Sequence, residues 1–123
     1  MLASESDFGA EKIYGFRTSV QGEARDAFYD MQKQISHLGI KMEDMPTQGG
    51  PDIIPMFREG VPVFRLQQDG TDYFDLHHTP DDTFDKISEG PMAQNVAAWA
   101  AVVWMASEAD VDFRSATDPR IAE

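Results

Sequence analysis

Two stretches of the chain predict long helices, the first from its hydrophobic periodicity and the second from its start signals, Ser88 and Pro91. Between Gly22 and Leu38, apolar side chains recur at spacings of three and four, which predicts a helix with one buried face, and Gly39 follows as its C-cap. A second helix is predicted from Ser88 to about Ser107. This second helix is apolar nearly all round, so it needs cover on most sides, which indicates that the domain packs against more protein.

The remaining apolar runs predict short strands separated by turns. Residues 1 to 6 are expected to form one strand, and residues 61 to 66 a second strand that follows one or two helical turns within residues 49 to 60. A third strand is predicted around residues 74 to 76, ended by the turn that begins at Pro80. Strands alternating with helices in this order predict an α/β fold.

The segment from residue 73 to residue 83 holds two of the three histidines, His77 and His78, among aromatic and acidic residues. A neutral imidazole held by its surroundings is a good zinc ligand. Neighbouring side chains on a strand point to opposite faces, so we expect one of the two histidines to be a ligand and the other to be packing. A surface position without function is the alternative. His37, in the last turn of the first helix, is interpreted as structural.

Composition narrows the classes of partner. A chain of 123 residues with 41% hydrophobic residues is typical of one globular domain. The net charge of −12 argues against nucleic acid and anionic membranes, because both attract clustered Lys and Arg. With no cysteine, any metal must be held by Asp, Glu and His. The longest apolar stretch, residues 96 to 106, is too short for a membrane span, and the first residues lack the pattern of a signal peptide.

Four separated motifs, in order between about residues 2 and 107, resemble the C-terminal part of the co-catalytic di-zinc aminopeptidase family, and most of all its plasma glutamate carboxypeptidase branch. The motifs are Glu5-Ser6-Asp7-Phe8-Gly9, Gly50-Pro51-Asp52-Ile53, Glu59-Gly60-Val61-Pro62 and Tyr73-Phe74-Asp75-Leu76-His77-His78-Thr79-Pro80-Asp81-Asp82-Thr83-Phe84-Asp85-Lys86. The resemblance implies a mixed β-sheet sandwiched by helices, truncated at its N-terminus. Residues 1–107 would be the C-terminal portion of the catalytic domain, and residues 108–123 a polar tail expected to fray.

The resemblance implies roles for five residues. Asp7 would bind one zinc ion and His78 the other, while the histidine before His78 has no ligand role in the family pattern. Asp82 and Thr83 match the turn that supports His78, and Asp52 matches a residue near the substrate. Two zinc ions about 3.5 to 4 Å apart would activate a shared water and polarise the scissile carbonyl.

The family pattern also requires groups that this chain lacks. An upstream histidine, a carboxylate that bridges the metals, a general-base glutamate and a glutamate ligand beside it all precede the stretch that matches Asp7. Glu5 belongs to the Glu-Ser-Asp motif and does not replace the general base. Catalytic zinc normally keeps three protein ligands, so we expect no catalytic residue in this chain and no activity from it alone.

The resemblance therefore predicts part of a secreted or periplasmic zinc exopeptidase, an aminopeptidase or dipeptidase, whose substrate is a peptide or dipeptide. The alternative is a non-catalytic binding or assembly module of the same fold, with its apolar last helix covered by a partner or by a second copy in a homo-oligomer. A third possibility, a calcium-binding domain, rests only on the acidic residues, and residues 67 to 72 lack the spacing of an EF-hand loop.

Overall fold

The computed structural model describes residues 1–114 and 118–121. Its helices and strands follow one another as β1 (Ile13–Thr18), α1 (Gly22–Ile35), β2 (Lys41–Met42), α2 (Ile54–Arg58), β3 (Phe64–Gln68), α3 (Tyr73–Leu76) and α4 (Glu89–Glu108). Single 3-10 turns lie at Ser36–Leu38, Phe84–Lys86 and Pro119–Ile121. The α/β class predicted from the sequence is confirmed.

The sheet is mixed, with the strand order β2-β1-β3. β1 runs parallel to β2 and antiparallel to β3. The antiparallel register is interrupted between Ile13 and Gly15, where one extra residue bulges out of β1. Gln94 of α4 compensates there, because its Oε1 accepts from the N–H of Ile13 at 2.9 Å and its Nε2 donates to the carbonyl of Ile13 at 2.7 Å. One side chain of α4 thus satisfies the backbone at the bulge of the central strand.

The core lies between this sheet and the two long helices. Phe16 of β1, Phe28 of α1 and Phe64 of β3 pack with ring centroids 5.6 to 5.9 Å apart, and Trp99 of α4 lies 5.7 Å from Phe64. Both long helices are confirmed close to their predicted bounds. Gly39, with φ of 83°, takes the left-handed conformation that ends the first helical segment, as predicted.

Two of the predicted strands are wrong. Residues 1 to 6 form only an isolated parallel bridge, Ala3 to Val63, beside the start of β3. Residues 73 to 76 form the short helix α3, in which the N–H of His77 donates to the carbonyl of Tyr73 at 2.8 Å. A short apolar run has no periodicity that separates a strand from a helical turn, and the helical turn found here brings the rings of Tyr73 and His77 together. The strand predicted at 61 to 66 begins at Phe64.

The tail after α4 returns to the body of the domain, so the expectation that it frays is wrong for its described residues. Phe113 is buried against Phe28, with ring centroids 5.2 Å apart. Asp118 is 1% exposed, and its N–H donates to the carbonyl of Ser19 at 2.8 Å. Residues 115–117 and 122–123 of the predicted tail lie outside the described residues.

The Asp118 carboxylate is held by arginine. Arg120 donates to it from Nη2 at 2.7 Å and from Nε at 3.1 Å, and the same guanidinium reaches Asp44 at 3.4 Å. Arg25 of α1 donates to Asp44 at 2.6 Å. These charge-assisted hydrogen bonds from Arg120 lower the pKa of Asp118 to about 2.

The long helix α4 is only partly covered. Asn95, Ala98 and Val102 face the core, whereas Val96, Val103 and Trp104 are 58 to 67% exposed. The exposed apolar side agrees with the prediction that this helix needs cover from more protein. Among the described residues, no helix is both long and apolar enough to cross a membrane.

Candidate functional site

The loop that carries Asp7 is tied to the end of β3 by a buried glutamine. Gln68 Nε2 donates to the carbonyl of Gly9 at 3.0 Å and to Asn95 Oδ1 of α4 at 2.7 Å. Ser6 Oγ donates to Gln68 Oε1 at 3.2 Å. The Asp7 side chain itself is exposed at the surface of this loop. The backbone around this candidate ligand is therefore fixed while its carboxylate stays accessible.

A stack of four rings connects the Asp7 loop to the histidine segment. Phe8 stacks on Tyr73 at 4.5 Å, Tyr73 on His77 at 4.7 Å, and His77 on His78 at 3.7 Å, all measured between ring centroids. The interplanar angles of 21 to 29° are those of stacked rings. We call Phe8, Tyr73, His77 and His78 the ring stack. Its last ring belongs to the candidate zinc ligand.

His77 and His78 do not point to opposite faces, so the argument from strand geometry is wrong. They follow a helical turn rather than lying in a strand, and His78 has a φ of 57°. This left-handed conformation is uncommon for a residue other than glycine, and His78 is the one such case among the described residues. Because the backbone reverses there, the two imidazoles lie against each other.

The turn after His78 is held mainly by Thr79. Its Oγ1 donates to the carbonyl of Leu76 at 2.6 Å and accepts from the N–H of Asp81 at 3.2 Å. Asp82 is exposed, and its N–H donates to the carbonyl of Thr79 at 3.2 Å. Asp82 therefore takes part in the turn that holds His78 through its backbone, while Thr79, which the sequence reasoning did not single out, provides the side-chain hydrogen bonds.

Thr83 acts on the next turn along the chain. Its Oγ1 donates to Asp85 Oδ1 at 2.5 Å, and this hydrogen bond, with help from Lys86, lowers the pKa of Asp85. Lys86 Nζ lies 3.1 Å from Asp81 and 3.2 Å from Asp85. The lysine thus links the turn after His78 to the 3-10 turn that Thr83 precedes.

Asp52 lies at the entry to α2, with an exposed side chain. Its N–H donates to Glu5 Oε2 at 2.9 Å, which joins the first and second quoted motifs. A Cβ at residue 50 would overlap the Glu5 carboxylate, so Gly50 leaves the space that the Glu5 side chain occupies. Glu5 is therefore a structural link between two candidate site segments.

The candidate metal ligands of the chain are few and exposed. Among residues 1–114 and 118–121, no group of three or more His, Asp or Glu side chains lies close enough together to hold an ion. Asp7 and His78 offer donor atoms that zinc accepts, but both are exposed and two donors are fewer than a catalytic zinc keeps. The residues present do not form a zinc site by themselves.

An open groove of about 520 Å³ lies between the Asp7 loop and α4. Its lining includes Glu5, Gln68, Val96 and Trp99, and it does not include Asp7 or His78. Two buried polar atoms here, Glu5 Oε1 and Trp99 Nε1, find no hydrogen-bond partner in the part of the chain that the structure describes. The groove therefore has the character of an incompletely covered surface rather than of a finished ligand pocket.

The fold and the histidine segment resemble part of a co-catalytic zinc peptidase, and comparison with known proteins supports a relationship to this class. The structure superposes with a TM-score of 0.89 on a peptidase M28 precursor from Shewanella amazonensis, at 41% sequence identity, over 96% of this chain and 26% of that one. The chain is also 26% identical over 107 residues to carboxypeptidase Q of Bos taurus, which is 87% of this chain and 22% of that protein. No family model matches the sequence.

Over the matched part, this chain is therefore related to the co-catalytic zinc peptidases, as the motifs predicted. The chain spans about a quarter of the length of the relatives it matches. Its mixed α/β fold matches about a quarter of that peptidase M28 structure, which confirms the predicted fold class.

Proposed function

We propose that this chain is the C-terminal part of a zinc-dependent exopeptidase, an aminopeptidase or dipeptidase that hydrolyses a peptide bond near a free N-terminus. The observation that carries the proposal is the superposition of nearly the whole chain on about a quarter of a peptidase at 41% identity. In this proposal, Asp7 contributes to one of two zinc sites and His78 to the other. Asp82 and Thr83 shape the segment after His78, and Asp52 lies near the substrate.

The remaining ligands and the general base belong, in this proposal, to polypeptide outside residues 1–123. Support comes from the coverage of the relatives, since the chain spans 22% of carboxypeptidase Q and 26% of the peptidase M28 precursor. The isolated chain is accordingly proposed to be inactive. By likeness to its relatives, the complete protein is proposed to act on peptides outside the cytoplasm, secreted or in the periplasm.

The first experiment reads the DNA upstream of the Met1 codon. Continuation of the reading frame into a segment with the missing histidine, bridging carboxylate and Glu-Glu pair is the expected result. A stop codon and a ribosome-binding site just upstream would contradict the proposal, because the chain would then be a complete product without a catalytic base.

The second experiment uses the longer protein. His78→Ala is expected to abolish hydrolysis of dipeptides, since a zinc ligand is lost. His37→Ala is the matched control, because His37 is exposed at the end of the first helical segment and its Nδ1 lies 3.0 Å from the carbonyl of Gln34 in the same turn. Retained activity in the His78 variant would exclude His78 as a ligand.

The exposed side of α4 favours a second candidate function, a non-catalytic assembly module. Val103 and Trp104 are more than half exposed, and a contiguous apolar surface of this kind is typical of a binding face. Light scattering of the purified chain measures its oligomeric state and so tests whether this face of α4 binds a second copy. A dimer that Val103→Asp dissociates, with Glu108→Asp as a control, supports the module, whereas a monomer that binds little hydrophobic dye counts against it.

A further inference from the structure

His78 is presented by a backbone conformation that is unfavourable for most side chains. Its φ of 57° places it in the left-handed region, which costs free energy for a residue with a Cβ and persists only where the surroundings impose it. Thr79 holds the turn on the C-terminal side, through its hydrogen bonds to Leu76 and Asp81. On the N-terminal side, the ring of His77 lies flat against the ring of His78 at 3.7 Å.

The ring stack is itself anchored at its far end. Phe8 packs beneath the guanidinium of Arg65 on β3, with Arg65 Cζ 5.9 Å from the ring centroid. A Cβ at Gly70 would lie 2.0 Å from Phe8 Cε1, so a glycine there leaves the space that the ring occupies. The stack therefore begins at the sheet and ends at His78.

Phe74 holds the stack from the side. Its ring lies edge-on to Phe8 at 6.0 Å, to Tyr73 at 5.0 Å and to His77 at 6.4 Å. Tyr73 begins α3 and His77 follows its last residue, and this spacing of four residues places both rings on one side of the helical turn. The conformation of α3 is what brings the rings of the 73–78 segment into line with Phe8.

We infer that Phe8, Tyr73 and His77 are positioning residues for His78: the ring stack fixes the orientation of the His78 imidazole relative to the Asp7 loop. The inference rests on the proposed role of His78 and adds the residues that hold it. His77, which has no ligand role in the family pattern, gains a function as the ring that contacts the candidate ligand.

The test uses the purified chain and the NMR signals of its histidine ring protons. A ring stacked on another ring is shielded, so the His78 protons are expected upfield of those of His37, which is exposed and stacks on no ring in the part of the chain that the structure describes. Tyr73→Leu removes a ring that does not touch His78. If the stack positions His78, its signals move downfield towards those of His37 in this variant.

Two controls separate positioning from general loss of structure. Tyr73→Phe keeps the ring and is expected to restore the signals of the natural chain. Phe84→Leu removes an aromatic ring that is 87% exposed and lies after the same turn, and it is expected to leave His78 unchanged. The amide signals of β1 report whether each variant retains the fold.

Unchanged His78 signals in Tyr73→Leu, or failure of Tyr73→Phe to restore them, would overturn the inference. That result would leave the proposed peptidase function intact, because it concerns only how His78 is held. Conversely, activity that survives His78→Ala in the longer protein would contradict the proposed function, but it would not count against the positioning of His78 by the ring stack.

Discussion

The carboxylate of Asp118 is expected to make the stability of the chain depend on pH below about 4. The perturbation is Asp118→Asn, which removes the negative charge and keeps the size of the side chain. In the folded chain, the Arg120 guanidinium lowers the pKa of Asp118 to about 2, from an ordinary value of 3.8. A carboxyl whose pKa is lowered on folding stabilises the folded chain above its unfolded pKa, and this stabilisation is lost as the pH falls through the folded pKa.

The magnitude follows from the shift. One pKa unit corresponds to about 1.4 kcal/mol, so a pKa of about 2 in place of 3.8 contributes about 2 kcal/mol to the free energy of unfolding. Asp118 is buried, but the Arg120 side chain is 44% exposed, so solvent screening reduces the contribution and about 2 kcal/mol is its upper value. At pH 6, we expect the free energy of unfolding of the natural chain to exceed that of Asp118→Asn by up to that amount. We expect this difference to shrink as the pH falls from about 4 to about 2.

The assay is urea unfolding at a series of pH values, followed by the fluorescence of Trp99, which packs on Phe64 in the core. Asp110→Asn is the control, since Asp110 is exposed just beyond α4. Other acids also titrate in this range, so only the difference between each variant and the natural chain is compared. A difference for Asp118→Asn that stays constant from pH 6 to pH 2.5 would refute the reasoning.

Two further predictions concern single side chains. Gln94→Ala leaves the N–H and carbonyl of Ile13 without their α4 partner at the β1 bulge. We expect this variant to lose about 2 kcal/mol of the free energy of unfolding. The control Gln34→Ala changes an exposed side chain and is expected to lose almost none. Because His78 has positive φ, His78→Gly is expected to be more stable than His78→Ala by about 0.5 to 1 kcal/mol in the same assay; equal stabilities would count against the left-handed conformation.

The parts of the fold that repeat regularly in sequence were predictable. The 3.6-residue periodicity from Gly22 onward, with a glycine to end it, identified α1 and the turn after it. α4 has no such periodicity and was predicted instead from Ser88 at its start and from the long apolar run that follows. Residues 1 to 6 were expected to form a strand because their composition permits one, but strand pairing depends on the partner edge, and only Ala3 finds a bridge there.

The arrangement around His78 could not be predicted from local sequence patterns. The ring stack joins Phe8 to Tyr73 across a long separation in the chain, and no local pattern encodes that contact. Nothing marks His78 as a residue with positive φ, since glycine is the usual signal for that conformation. The density of aromatic residues from Tyr73 onward was the one available sign that rings pack together there.

The position of β1 at the centre of the sheet has a consequence for the order in which the domain assembles. β1, α1 and β2 lie within residues 13 to 42, so their contacts close short loops, whereas β3 and α4 must return from far along the chain. Loop closure costs more entropy as separation grows, so we expect a β1-α1-β2 nucleus to form early. We therefore expect Phe16 and Phe28 to stay partly uncovered until α4 has been synthesised, which leaves apolar surface open to aggregation during that interval.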